Sequence, residues 1–138
     1  MTRAVIGALA LVVPDYDQAI RFFVDVMGFA LTEDIDQGHK RWVTVTPPGG
    51  GARVVLAKAT NEAQRAAIGN QTGGRVFLFL QTDDFWRDHA RMIAAGVVFL
   101  ELPRVETYGI VAVWRDPFGN LWDLIGPVSA NPEVMAQA

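Results

Sequence analysis

An acid stands in the middle of an apolar run, Leu121-Trp122-Asp123-Leu124-Ile125. Burying a carboxylate there without a partner is costly. Asp123 could accept a hydrogen bond from a bound polar group or serve as a base. It could equally be held by Arg115, Arg104 or backbone. A second group lies in Pro103-Arg104-Val105-Glu106-Thr107-Tyr108-Gly109. Arg104 and Glu106 there suit either a surface ion pair or the rim of a site, with Glu101 a further acid nearby. Tyr108 could donate a hydrogen bond or close over a ligand. A third group is His39-Lys40-Arg41-Trp42. His39 could move a proton near neutrality, or simply sit in solvent after the turn-like Asp36-Gln37-Gly38. Arg41 offers charge and Trp42 a flat apolar wall. His89, three residues after Trp86 in a helical rhythm, reads as a packing residue.

Composition removes several other chemistries. The 138-residue chain has no cysteine, so disulfides, thiolate metal sites and cysteine nucleophiles are excluded. Its formal net charge is −3 and its basic residues are scattered, which argues against nucleic acid as a partner. Gly49-Gly50-Gly51 follows two prolines and reads as a turn, without the context of a phosphate loop. Residues 4–13 are apolar but too few to span a membrane, and Pro14-Asp15-Tyr16-Asp17 lacks a cleavage pattern, so a buried strand is expected there. The expectation is a cytoplasmic protein with neither a membrane nor a nucleic-acid partner.

Elements must position these side chains. Residues 5–13 read as a strand, broken by Pro14, with Asp15 able to cap a helix. Tyr16, Ala19, Ile20, Phe23, Val24 and Met27 recur at spacings of three and four, the mark of one helical face. Gly28 supplies a stop. Strands are expected over 29–34, 41–46 and 52–57. Residues 58–74 form a connector, with a helical turn over 62–68. The pattern then restarts: a strand at 75–80, caps at Asp83 and Asp84, a helix ending at Gly96, and strands at 97–102, 108–114 and 121–125. Asp116-Pro117-Phe118-Gly119-Asn120 is a strong turn. Asp15 to Gly28 and Asp83 to Gly96 each span thirteen positions. The order strand, helix, three strands thus occurs twice. The reading is a single α+β domain of duplicated βαβββ modules, with a first module over 4–57, a second over 75–126 and a tail over 127–138. Eight main strands and two principal helices follow from it.

Val13-Pro14-Asp15-Tyr16-Asp17-Gln18-Ala19-Ile20-Arg21-Phe22-Phe23, Val26-Met27-Gly28-Phe29 and the segment from Trp114 to Ile125 carry a family likeness. The chain resembles the vicinal oxygen chelate superfamily, which includes glyoxalase I, extradiol dioxygenases and bleomycin resistance proteins. The resemblance implies a curved mixed sheet around a cavity, and a homodimer. In metal-dependent relatives, ligands project inward from four strand positions. Here those positions fall near Ala8, near Val55 or Leu56, near Phe77, and on Asp123. Only the last is a metal ligand, whereas catalytic divalent sites draw on several carboxylates or imidazoles. The expectation is a divergent member with no cofactor, a divalent metal being possible only through an atypical site such as one using His39.

Four Trp, two Tyr and eight Phe residues favour a protein that binds a small aromatic or amphipathic molecule in a cavity, as sequestration-type resistance relatives do. Asp123, Tyr108, Trp42, His39, Arg41, Arg104 and Glu106 are its candidate ligand contacts. One alternative is a metal-independent or atypical-metal lyase or isomerase. Another is a noncatalytic accessory protein whose cavity is filled by side chains such as Phe77, Phe79 and Leu56.

Overall fold

The structure, a computed structural model, describes residues 2–128. Its contacts divide the chain into two units, Met1–Ile68 and Gly69–Ala138. Most of the tail expected over 127–138 lies outside the described residues.

The first unit contains β1 (Ala8–Val13), α1 (Tyr16–Ile20), β2 (Ala30–Asp36), β3 (Arg41–Thr46), β4 (Arg53–Lys58) and α2 (Glu62–Ala67). The strands lie in the order β1-β4-β3-β2. β1 runs parallel to β4, and the other pairs are antiparallel. Leu11, Val13, Val43, Val45, Val54 and Leu56 form the buried side of this sheet, with Ala19 and Phe23 of the helix also buried. The opposite side carries Ala8, Ala10, Trp42, Thr44, Arg53 and Val55, as strand alternation requires.

Asp15 caps α1 by accepting a hydrogen bond from the Gln18 amide at 2.8 Å. The helix expected over 16–27 is not uniform: after Ile20 it continues as a π-helix, Arg21–Val26. The Met27 amide donates to the Phe22 carbonyl, five residues back, at 3.0 Å. That wider winding lines up Phe22 with Met27 and buries both, although regular α-spacing leaves Phe22 off the apolar face.

The second unit contains β5 (Leu78–Gln81), α3 (Phe85–Ala94), β6 (Val98–Phe99), β7 (Arg104–Glu106), β8 (Gly109–Arg115) and β9 (Leu121–Gly126). Its sheet runs β5-β9-β8-β6, with β7 also paired to β8. β5 is parallel to β9, and the remaining pairs are antiparallel. Asp84 is the cap of α3, accepting from the Arg87 amide at 3.1 Å. The second cap-to-glycine span, Asp84 to Gly96, is therefore one residue shorter than the first. The π-winding of the first helix takes up that extra residue.

Both units thus show a mixed sheet with helices in a βαβββ-like arrangement. Nine strands are present among the described residues, against the eight expected. The strand expected over 97–102 shrinks to two residues: β6 ends at Phe99, opposite Trp114, and pairing with the same strand β8 resumes as β7 at Arg104, opposite Val111, with the register shifted by two residues. The turn at Asp116 is structural. Its carboxylate accepts from the amides of Phe118 and Asn120 at 3.0 Å each, from Asn120 Nδ2 at 2.9 Å and from Trp122 Nε1 at 3.1 Å.

Candidate functional site

In β9 the side chains alternate between two environments. Trp122 and Leu124 are buried on the side that meets α3, and Trp122 stacks on Trp114 with centroids 4.8 Å apart. Leu121, Asp123 and Ile125 take the other side. Register places Asp123 between Val113 of β8 and Phe79 of β5. Asp123 is only 8% exposed, whereas Phe79 is 62% exposed. Asp123 Oδ1 is buried and has no hydrogen-bond partner among the described residues. Oδ1 therefore makes none of the expected bonds to Arg104, Arg115 or backbone among the described residues. Burial pushes its pKa above the usual carboxylate value; the Arg104 charge opposes that rise and Glu101 adds to it.

Arg104 shares the side of Asp123, because it pairs with Val111, two residues from Val113. Its guanidinium meets Glu101 at 2.5 Å and Glu106 at 2.7 Å. These carboxylates, with Tyr108 contributing, raise its pKa and fix its charge. Arg104 is thus committed to its neighbours and does not neutralise Asp123 directly. Tyr108 is exposed in the turn between β7 and β8. The second unit therefore gathers Asp123, Arg104, Glu106 and Tyr108.

The remaining candidates, Arg41, Trp42 and His39, lie in the first unit. Arg41 bonds Asp34 at 2.8 Å and Asp17 at 2.9 Å, and its guanidinium lies over the Tyr16 ring. It ties α1 to the sheet edge, with Asp34 and then Asp17 the main causes of its raised pKa. Trp42 points to the opposite side of β3, so these neighbours in sequence do not share a site. His39 is exposed in the β2–β3 hairpin. His89 packs against Phe99 and Phe85, with centroids 4.5 and 5.4 Å away, and burial lowers its pKa.

The metal positions of the family do not fit an ion here. Ala8 and Val55 lie on the open side of the first sheet, Leu56 on its buried side, and Phe77 precedes β5. None has a lone pair to donate. Among the described residues, no group of three or more His, Cys, Asp or Glu side chains could hold a metal.

Sequence reasoning missed a polar row on the open side of the first sheet. Arg53 Nη1 donates to Glu33 Oε1 at 2.7 Å, and Thr44 Oγ1 donates to the same oxygen at 3.1 Å. Thr32 Oγ1 lies 2.7 Å from Thr44 Oγ1 and 3.1 Å from Thr46 Oγ1. The alternation Thr44-Val45-Thr46 was a signal for part of this row. The β-bulge between Leu31 and Glu33 was not readable, and it turns Thr32 and Glu33 to the same side.

A profile of the Glyoxalase/Bleomycin resistance protein/Dioxygenase superfamily matches residues 5–124. The chain belongs to that superfamily. A Shewanella frigidimarina protein is 54% identical over 120 residues, covering 85% of this chain and 89% of its own. Among solved structures of the superfamily's fold, UcmS2 is similar with a TM-score of 0.78 and 28% identity, over 90% of this chain and 98% of that one. TnmS3, an antibiotic binding protein from Streptomyces sp. CB03234, has a TM-score of 0.73 and 29% identity, over 92% and 98%. Among the described residues, no helix is long and apolar enough to cross a membrane.

Proposed function

We propose that this chain binds a small aromatic or amphipathic molecule without transforming it. The observation that carries the reading is the buried, unbonded oxygen of Asp123 on a sheet face where Phe79 is open to solvent. A ligand hydroxyl or amine would supply the missing hydrogen bond, and Phe79 and Tyr108 would supply flat apolar contact. The similarity to TnmS3, an antibiotic binding protein, supports the same class of ligand. The filled-cavity alternative loses two of its three side chains: Phe79 is exposed and Leu56 belongs to the buried side of its sheet.

A second reading rests on the raised pKa of Asp123, which suits a proton-transferring group in a metal-independent lyase or isomerase. The binding reading includes a symmetric homodimer, for which the exposed Leu100, Leu102 and Val105 offer apolar surface.

The test is titration with a set of polycyclic aromatic amines and phenols, followed by tryptophan fluorescence and repeated with Asp123→Asn. Saturable binding at one site per chain is expected, weakened in the variant by roughly 1–3 kcal/mol, the scale of a hydrogen bond to a charged group. Absence of saturable binding across the set defeats the reading. Turnover of any member by metal-free protein replaces it with the enzyme reading.

A further inference from the structure

The polar row of the first sheet is built around one cation. Arg53 uses Nη1 on Glu33. Its Nε and Nη2 groups have no hydrogen-bond partner among the described residues, and its side chain is 42% exposed. Glu33 is itself held, since Thr44 donates to the oxygen that receives Arg53, and Thr44 is 0% exposed. Thr32 bridges Thr44 and Thr46 behind it. The guanidinium is therefore anchored at one end and offers a fork of donors at the other, the geometry that matches a carboxylate or sulfonate.

The surroundings leave room for a ligand. The register partner of Arg53 on β1 is Ala8, and Val55 is beside Ala10. These small side chains keep the face shallow where a larger residue would fill it. Trp42 lies on the same side, two residues from Thr44, while Arg53 lies two residues from Val55, the partner of Thr44, in the opposite direction. Four residues of strand separate them, about 13 Å. An aromatic body against Trp42 would bring an acceptor at its far end to Arg53.

We infer that Arg53, oriented by Glu33, recognises an anionic oxygen group on the ligand, making the first sheet selective for aromatic molecules with a carboxylate or sulfonate. The inference rests on the small-molecule-binding reading, but not on the role given to Asp123.

Two probes with the same rings isolate the charge: 1-anilinonaphthalene-8-sulfonate, and N-phenyl-1-naphthylamine, which lacks the sulfonate. Each is titrated calorimetrically into the wild-type protein and into Arg53→Gln. The expected result is a loss of about tenfold or more in sulfonate-probe affinity, with the neutral probe changed less than twofold. If Arg53→Gln does not fold by circular dichroism, Arg53→Lys takes its place, because it keeps a charge for Glu33 and removes the fork. A several-fold loss confined to the sulfonate probe is then expected. Equal loss of both probes, or no loss of the sulfonate probe, overturns the inference while binding of the neutral probe leaves the broader reading standing. Failure of both probes to bind the wild-type protein overturns the inference, while the broader reading stands or falls with the full set of aromatic amines and phenols.

Discussion

A carboxylate that loses its hydration on folding, and gains no hydrogen bond in return, holds a proton more tightly in the folded chain than in the unfolded one. Asp123 is in that position, with burial the main cause of its raised pKa. The native state binds more protons between the unfolded value of 3.8 and the higher folded one. Stability therefore falls as pH rises through that window, and the penalty persists above it. Asp123→Asn is expected to melt higher than the wild type at pH 7. The gain should vanish as pH is lowered past the unfolded-state value, which calorimetry across pH 3 to 7 reads directly. A variant that melts lower at neutral pH would show that the charge has a structural partner. Greater stability together with weaker ligand binding is the signature of a group kept for binding at a cost to folding.

The strands that carry these side chains depend on close backbone approaches. Gly109 opens β8 with φ of 143°, and a Cβ there would collide with the carbonyl oxygen of Gly126 on the neighbouring strand. Gly28 ends the first helix with φ of 75° but has open space around it. Alanine at position 28 should cost about 1 kcal/mol, the conformational term alone. Alanine at 109 should cost clearly more, since strand pairing must shift as well. Urea unfolding of the two variants gives the comparison, and equal midpoints would mean that the β8–β9 approach is looser than described. Much of the element pattern was legible because its signals are local. Asp15, the helical rhythm of 85–94 and the break at Pro47-Pro48 announce themselves in a few residues. Strand β7 was not legible, because Arg104-Val105-Glu106 has one apolar residue and follows a proline. Only its pairing with Val111, Ile110 and Gly109 makes it a strand.

For the molecule as a whole, folding should not depend on a divalent ion. Metal analysis of untreated protein is expected to find far less than one ion per chain, and a chelator should leave the melting temperature unchanged. One tightly held ion per chain would show that ligands outside the usual four positions have been recruited. Sedimentation is expected to show a dimer at micromolar concentration, and a monomer throughout that range would remove the proposed self-association. Several candidates that are near in sequence separate at this scale. Arg41 and Trp42 are consecutive but lie on opposite sides of β3. Glu33 and Arg53 are twenty positions apart and form an ion pair of 2.7 Å.

The amino-acid sequence determined by itself that three of the four usual metal positions, all but Asp123, carry no ligand. A side chain without a lone pair cannot coordinate wherever the fold puts it, and Ala8, Val55, Leu56 and Phe77 are all of that kind. It also determined the order of strands and helices apart from β7, because caps, breakers and hydrophobic period act within a few residues. The tertiary structure decided which polar groups have partners. Asp123 is left with an unbonded oxygen, and Glu33 is brought to Arg53 by a bulge. Both outcomes depend on strand register, and a shift of one residue would turn each side chain to the other face of its sheet.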